Sequence, residues 1–414
     1  MQAGAAPDPR RPAAVAAQAP ISRWLLLVLA LATLCSGVAI RLCDGMLPAL
    51  AAEFGSDIHG ASVAITAFAL GYGLFQLVSG SIAERTGKLR TIACTMALAA
   101  LLSGLTALAP SLPALGWARL AAGVAYAGVV PIAMALVGDL VPYHERQAVL
   151  ARLLMGTVTG FTLGQFVGGA LADGAGWRWA FALLAGGSAL TAVALLNALG
   201  QGLGGAARPG GAAAPWLAPI ARVLADAWAR TILLLTALEG FLVIGALAFI
   251  PLHLHRHWQL SLTTAATAGV LFGLGAITYA AAARRIVGRL GEGRMVLSSG
   301  ALLCLAFALL ASTPSLAVAY LASYLVGFGY YLMHGTLQTH ATQMLPAYRG
   351  AAVSLFALAL FVGQSLGVAA AAWLADRIGL PTLFALVAAG VVALTLVLAW
   401  RMRRHAAAAG GTAD

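Results

Sequence analysis

Charge is what this 414-residue chain has least of: Asp, Glu, Lys and Arg together make up 9% of it, and only 13 residues are acidic. Soluble domains carry about a quarter charged residues, so a water-soluble fold is excluded. Cysteine is scarce as well. Cys35, Cys43, Cys94 and Cys304 fall in apolar segments without metal-ligand spacing, so neither a disulfide framework nor a metal site is indicated. Neither GQGLGG nor any other stretch forms the Gly-rich Lys-Ser/Thr loop that holds nucleotide phosphates, and no cofactor or ATP is expected. Within the apolar segments no nucleophile and base, and no metal-ligand set, stand together. That argues against the remote alternative of a membrane-embedded enzyme or receptor scaffold.

What the chain does have is apolar length. Hydrophobic residues fill 61% of it and the mean hydropathy is +0.92. Stretches near twenty residues without a charge recur, about what a helix needs to cross roughly 30 Å of hydrocarbon. Twelve spans are predicted: 24–46, 61–82, 91–109, 114–138, 149–171, 178–198, 229–251, 262–283, 295–312, 315–341, 351–373 and 380–400. The Ala- and Pro-rich stretch 1–23 reads as a disordered tail, not a signal peptide, because the apolar run after Trp24 is long and eleven more follow. Residues 405–414 are the second tail.

The formal charge of +11 does not indicate nucleic acid, because the basic residues are sided. With the N-terminus inside, 19 of the 24 Lys and Arg fall in cytoplasmic segments. That is the bias that orients membrane proteins, and it places both termini in the cytoplasm.

The two halves repeat. Arg85, Gly87 and Arg90 recur as Arg289, Gly291 and Arg294, about 204 positions later. Pro110-Ser111-Leu112 recurs as Pro314-Ser315-Leu316, Gly123 as Gly327, Arg146 as Arg349, and Leu171-Ala172-Asp173 as Leu374-Ala375-Asp376. Two six-helix units that enter the membrane from the same side are parallel repeats, here 24–198 and 229–404. The Gly- and Pro-rich stretch 199–228 is the expected cytoplasmic linker.

These landmarks resemble the major facilitator superfamily. Gly80-x-x-x-Glu84-Arg85-x-Gly87-Lys88-x-Arg90 is similar to its signature between the second and third helices, with Glu where Asp is usual. Asp139-x-x-Pro142-x-x-x-Arg146 resembles the loop after its fourth helix, and Gly176-Trp177-Arg178-Trp179-Ala180-Phe181 the start of its sixth. The resemblance implies an all-α membrane protein, twelve helices in two parallel six-helix pseudo-repeats. In the signature, Gly80 is expected to let a neighbouring helix approach, Glu84 to sit near the start of a helix of the other half, and Arg85 to pair with Asp139. The alternative is a solvated basic loop.

Gly156, Gly160, Gly164 and Gly168 share one face of the fifth span, for which Gly269 and Gly273 of the eighth are the expected partner. A glycine-rich fifth helix resembles the family's efflux antiporters, although Gln165 stands where Pro is typical. The run from Leu337 to Phe356 looks, more loosely, like bacterial drug, sugar or arabinose-type exporters.

Ionisable residues inside spans are functional candidates by default. Arg41 and Asp44 lie on the first span, Arg119 on the fourth, Glu239 on the seventh, and His334 and His340 on the tenth. Asp44 and Arg119 lie at similar depths and are expected to meet, with Asp44 carrying a coupling proton; a structural ion pair is the alternative. Glu239, near the midplane without a basic neighbour in sequence, is the second proton candidate or a site for a cationic substrate. Tyr126, Tyr324, Tyr331, His334 and Gln338 are candidate cavity residues. His253, His255 and His257 cluster at the outer end of the seventh span. The expectation is a monomeric inner-membrane (plasma-membrane) secondary transporter whose partners are the lipid bilayer, protons and a small organic substrate. Efflux is favoured, and symport or uniport for uptake is the alternative.

Overall fold

The computed structural model describes residues 22–203 and 217–410. Eleven of its helices are long and apolar enough to cross a membrane. One of them, Leu262–Ser312, has 51 residues. At 1.5 Å per residue it would reach roughly 77 Å, more than twice the hydrocarbon thickness. Gly291 breaks it, with φ 67° and ψ 164°, a conformation open to a residue without Cβ. It therefore crosses twice, and the crossings among the described residues number twelve, as predicted.

In chain order the helices are α1 (Arg23–Arg41), α2 (Ile58–Thr86), α3 (Lys88–Ala107), α4 (Leu112–Leu140), α5 (Tyr143–Asp173) and α6 (Trp177–Gly200). The second half holds α7 (Ala227–Trp258), α8 and α9 (the arms of Leu262–Ser312 before and after Gly291), α10 (Leu316–Gln343), α11 (Arg349–Ile378) and α12 (Leu380–Gly410). The repeated Pro-Ser-Leu tripeptides have a local cause. Ser111 and Ser315 are the N-caps of α4 and α10, accepting from Ala114 N–H at 3.4 Å and Val318 N–H at 3.3 Å.

Three boundaries differ from expectation. α1 stops at Arg41, residues 42–46 turn, and the chain resumes as a short helix, Leu47–Glu53. The expected linker is partly helical at Leu217–Ala225, while its residues 204–216 lie outside the described ones. Residues 1–21 of the first expected tail and 411–414 of the second lie outside them too, and α12 continues past Arg404 to Gly410.

Small residues set the packing inside each half, and the repeat is visible in it. A Cβ on Gly71 of α2 would stand 2.2 Å from Leu120 O of α4, and one on the equivalent Gly275 of α8 would stand 2.2 Å from Tyr324 O of α10. α1 packs on α5 as α7 packs on α11. Between the halves, α5 meets α8 and α2 meets α11. On the α5–α8 seam, Gly169 abuts Leu262 and Ala266, Gln165 abuts Gly269, and Thr162 abuts Gly273. On the other, the Tyr72 ring lies tilted against that of Phe361, centroids 4.4 Å apart, and Ser365 donates to Thr66 O at 3.0 Å. Both seams are closed at the face opposite the termini. Toward the terminus-bearing face the residues of α8 from Arg284 to Leu290 are largely exposed.

Candidate functional site

Two pairs of ionisable side chains stand inside the helix bundle, one from each half. The first is built by the turn that ends α1: Arg41 is its last residue, and three positions on Asp44 accepts from Arg41 Nη1 at 3.0 Å. Arg41 is 4% exposed and Asp44 fully buried. Gly45 allows the turn to press on α5, since a Cβ there would meet Gln165 O at 2.4 Å. Asp44 was expected to pair with Arg119; its hydrogen-bonded partner is Arg41 instead, although Arg119 lies within electrostatic reach of it. Arg119 directs its hydrogen bonds elsewhere: its Nε donates to Ala64 O at 2.8 Å, its Nη2 to Ala39 O at 3.0 Å, and its guanidinium lies 4.0 Å from the Phe68 ring centroid. Equal depth put two charges at one level but said nothing about which way each side chain turns.

The second pair joins α7 to α10. Glu239, expected to stand alone, lies 3.0 Å through Oε2 from His334 Nδ1. A π-helical turn, Gly240–Ile244, follows Glu239 directly, and such turns re-aim side chains at functional sites. Gly240 and Gly245 let this irregular stretch lie against the α11 backbone. The His334 ring stacks on Tyr330 at 5.1 Å and meets Phe356 at 5.3 Å. Tyr330 is within electrostatic reach of both Arg41 and Glu239, one member of each pair. Sequence reasoning missed Tyr330 and the pairing of His334, although Tyr330 lies one helical turn before His334 and therefore on its face. In each pair one carboxylate oxygen, Asp44 Oδ1 and Glu239 Oε1, is buried without a hydrogen-bond partner.

The other cavity candidates separate. Tyr331 packs edge-on to Tyr330 at 5.0 Å and lies near Arg41. Tyr126 belongs to the packed interior of the first half, its hydroxyl 2.6 Å from Ser188 Oγ and 3.2 Å from Ser103 Oγ. Tyr324 is hydrogen-bonded to Thr278 at 2.9 Å, and Gln338 is exposed nearer the terminus-bearing face. His340 lies 3.3 Å from Glu292. At the far end of α7, His253 is buried edge-on against Phe384, 5.5 Å from the ring of His257.

The signature loop between α2 and α3 is placed differently from expectation in two respects. Lys88, not Arg85, pairs with Asp139; Arg85 and Arg90 are exposed. Gly87 starts α3 at φ 91° and puts Lys88 one residue beyond the turn, beside the end of α4. Gly80 admits no close helix, with no atom within 4 Å of a Cβ built on it. Glu84, Lys88 and Ser354 of α11 line a cavity of about 130 Å³ between α2, α4 and α11. Arg146 donates to Val141 O at 3.2 Å. Arg178 pairs with Glu53 on the far face, and that hydrogen bond holds the Glu53 carboxyl below its usual range.

The glycine row of α5 is also reassigned. Gly156, Gly160 and Gly164 face Ala30, Leu34 and Val38 of α1, and Gly168 faces Leu42 just beyond its end, all within one half. Gly269 and Gly273 of α8 instead receive the side chains of Gln165 and Thr162. The glycine face is thus an internal seam, while the neighbouring face of α5 meets the other half.

Residues 29–359 match the description of the Major Facilitator Superfamily. Among curated proteins, the chain is 37% identical over 152 residues to the uncharacterized MFS-type transporter EfpA of Mycobacterium tuberculosis, covering 36% of this chain and 28% of that one. It is 30% identical over 179 residues to the MFS-type efflux transporter ffsH of Aspergillus flavipes, covering 42% and 29%. To the multidrug export protein EmrB of Haemophilus influenzae it is 27% identical over 157 residues, covering 38% and 31%. Each match spans less than a third of the relative's length. Among solved structures, the inward-facing, unoccupied bacterial homolog of the human lysosomal transporter Spinster aligns at TM-score 0.70 and 19% identity, covering 91% of this chain and 95% of that one. A POT family transporter bound to a thioalcohol-conjugated peptide aligns at 0.76 and 13%, covering 92% and 96%. At these identities the structural likeness speaks for the fold alone.

Proposed function

The chain belongs to the major facilitator superfamily, and from that premise we propose that it is a proton-coupled exporter of a small organic molecule working by alternating access, with both termini in the cytoplasm. Its export direction is supported by the relatives named as efflux or export proteins, and its orientation by the 19 of 24 basic residues on one side.

The observation that carries the reading is the Glu239–His334 pair, with Glu239 fully buried and its Oε1 unpartnered, beside the aromatic rings of Tyr330, Tyr331 and Phe356. Burying a carboxylate is costly unless it is paired or neutralised. His334 does the first and a proton does the second. A protonated Glu239 no longer needs the His334 contact or a cationic group, so proton binding and substrate binding exclude one another at one place, which is what antiport requires. Rocking of the halves about the α5–α8 and α2–α11 seams then exposes that place to either side in turn. Arg41, paired with Asp44 in the opposite half, lies within electrostatic reach of the same Tyr330.

The test is transport in proteoliposomes with a pH-sensitive dye inside and a panel of organic cations, sugars and neutral amphiphiles outside. Substrate-dependent proton movement in the opposite direction is expected. Glu239→Gln should abolish accumulation driven by a pH difference yet retain exchange at equal pH. If that variant still drives a substrate uphill, the proton site is elsewhere. Gln165, standing where the exporters have Pro, favours the second reading, uptake by symport; proton and substrate moving together would establish it.

A further inference from the structure

We propose that Asp173 and Asp376 are a matched pair of latches that hold the far face shut, each completing the N-terminal cap of a helix in the opposite half. The first N–H groups of a helix find no partner within it. At the start of α8, Ser261 of the same half takes one, accepting from Thr264 N–H at 3.1 Å. The carboxylate of Asp173, at the end of α5, takes the two before it: Oδ1 accepts from Leu262 N–H at 3.0 Å and Oδ2 from Thr263 N–H at 2.6 Å. The Thr263 hydroxyl also donates to Oδ2, at 2.7 Å. At the start of α2 the same division recurs. Asp57 accepts from Gly60 N–H at 2.7 Å, and Asp376, at the end of α11, accepts from His59 N–H at 3.2 Å.

The two arrangements correspond residue for residue under the sequence repeat: Asp57 with Ser261, His59 with Thr263, Asp173 with Asp376. The local caps, Asp57 and Ser261, belong to the helix they cap and survive any movement of the halves. The two latch carboxylates do not, because each sits on one half and its helix on the other. A negative charge at a helix N-terminus is favourable by attraction to the aligned peptide dipoles as well as by hydrogen bonding. Parting the far face replaces those contacts with water, so their stabilisation is conditional on one end-state of the rocking equilibrium. The latches are unequal. Asp173 makes three hydrogen bonds and Asp376 one, so Asp173 holds the greater share.

The proposal rests on the alternating-access reading, and its test uses neither substrate nor proton. Cysteines introduced at Ala175 and Arg256, both exposed on the far face and one on each half, carry spin labels in a protein otherwise free of cysteine, and pulsed EPR in nanodiscs reads their distance distribution. Asp173→Asn should raise the population of long distances roughly three- to tenfold, the scale of losing solvent-accessible charged hydrogen bonds. Asp376→Asn should raise it less, and the double variant more than either. Thr263→Val, which removes only the hydroxyl bond, should shift the distribution the same way by a smaller factor, and it decides the matter if Asp173→Asn does not fold. Distributions matching the unsubstituted protein in the folded variants overturn the latches. An altered distribution alongside absent proton-driven transport would uphold the latches and overturn the coupling reading alone.

Discussion

Substituting Gly160 with Ala tests whether the glycine row of α5 is an internal seam. The new Cβ would stand 2.3 Å from Leu34 O, 2.9 Å from Gly37 Cα and 2.9 Å from Val38 N. All three are backbone atoms of α1, so no rotamer change relieves the clash and the helices must separate. Restoring an ordinary carbon–oxygen contact needs about 1 Å, which also loosens the packing on either side of the substitution. Overpacking of this kind costs about 1–3 kcal/mol. For a chain of this size that corresponds to a fall in Tm of roughly 1–4 °C, measured in detergent by the fluorescence of a thiol-reactive dye or by circular dichroism. Gly80→Ala is the control, since nothing lies within 4 Å of its Cβ position, and it should leave Tm unchanged. The two seams also separate by readout: Gly160→Ala should lower stability without altering the far-face distance distribution, because both helices belong to one half. An unchanged Tm, or a loss equal to that of Gly80→Ala, would refute the packing argument.

Arg119→Lys should lower folded yield, because an ammonium cannot replace both carbonyl hydrogen bonds and the contact with Phe68; in the protein that does fold, the proton-to-substrate ratio should match the parent, and a changed ratio would restore Arg119 to the coupling site. A double-mutant cycle on thermal unfolding should find about 0.5 kcal/mol between Lys88 and Asp139 and nothing between Arg85 and Asp139; the opposite order would overturn the pairing. Because Arg178 holds Glu53 below the usual carboxylate range, their ion pair contributes above that range and is lost as the far-side pH falls through the lowered value; Arg178→Ala should return Glu53 toward ordinary titration, detectable by NMR of the labelled carboxyl. Reporter fusions after Arg90, Arg222 and Arg404 should all report cytoplasm, and an outside signal at any of them would reverse the orientation.

Much of this protein was settled by composition and periodicity alone. Scarce charge and recurring apolar stretches fix a bundle of membrane-crossing helices, because a backbone in hydrocarbon must satisfy its own hydrogen bonds. The repeat of Pro-Ser-Leu and of Leu-Ala-Asp set the halves in register, since caps and turns are local devices written in a few adjacent residues. Which charges would lie inside was also legible: Arg41, Asp44, Arg119, Glu239 and His334 are conspicuous in a greasy chain. How those charges pair was not. Asp44 turned to Arg41 because α1 unwinds at residue 42, Arg119 to two carbonyls, and Glu239 to a histidine 95 positions away. The face of α5 that meets α1, and the face that meets α8, are distinguished only when neighbouring helices are in place. Helical spacing says which residues share a face; the packing of the twelve helices decides what that face touches, and with it the difference between a seam that stays closed and one that opens.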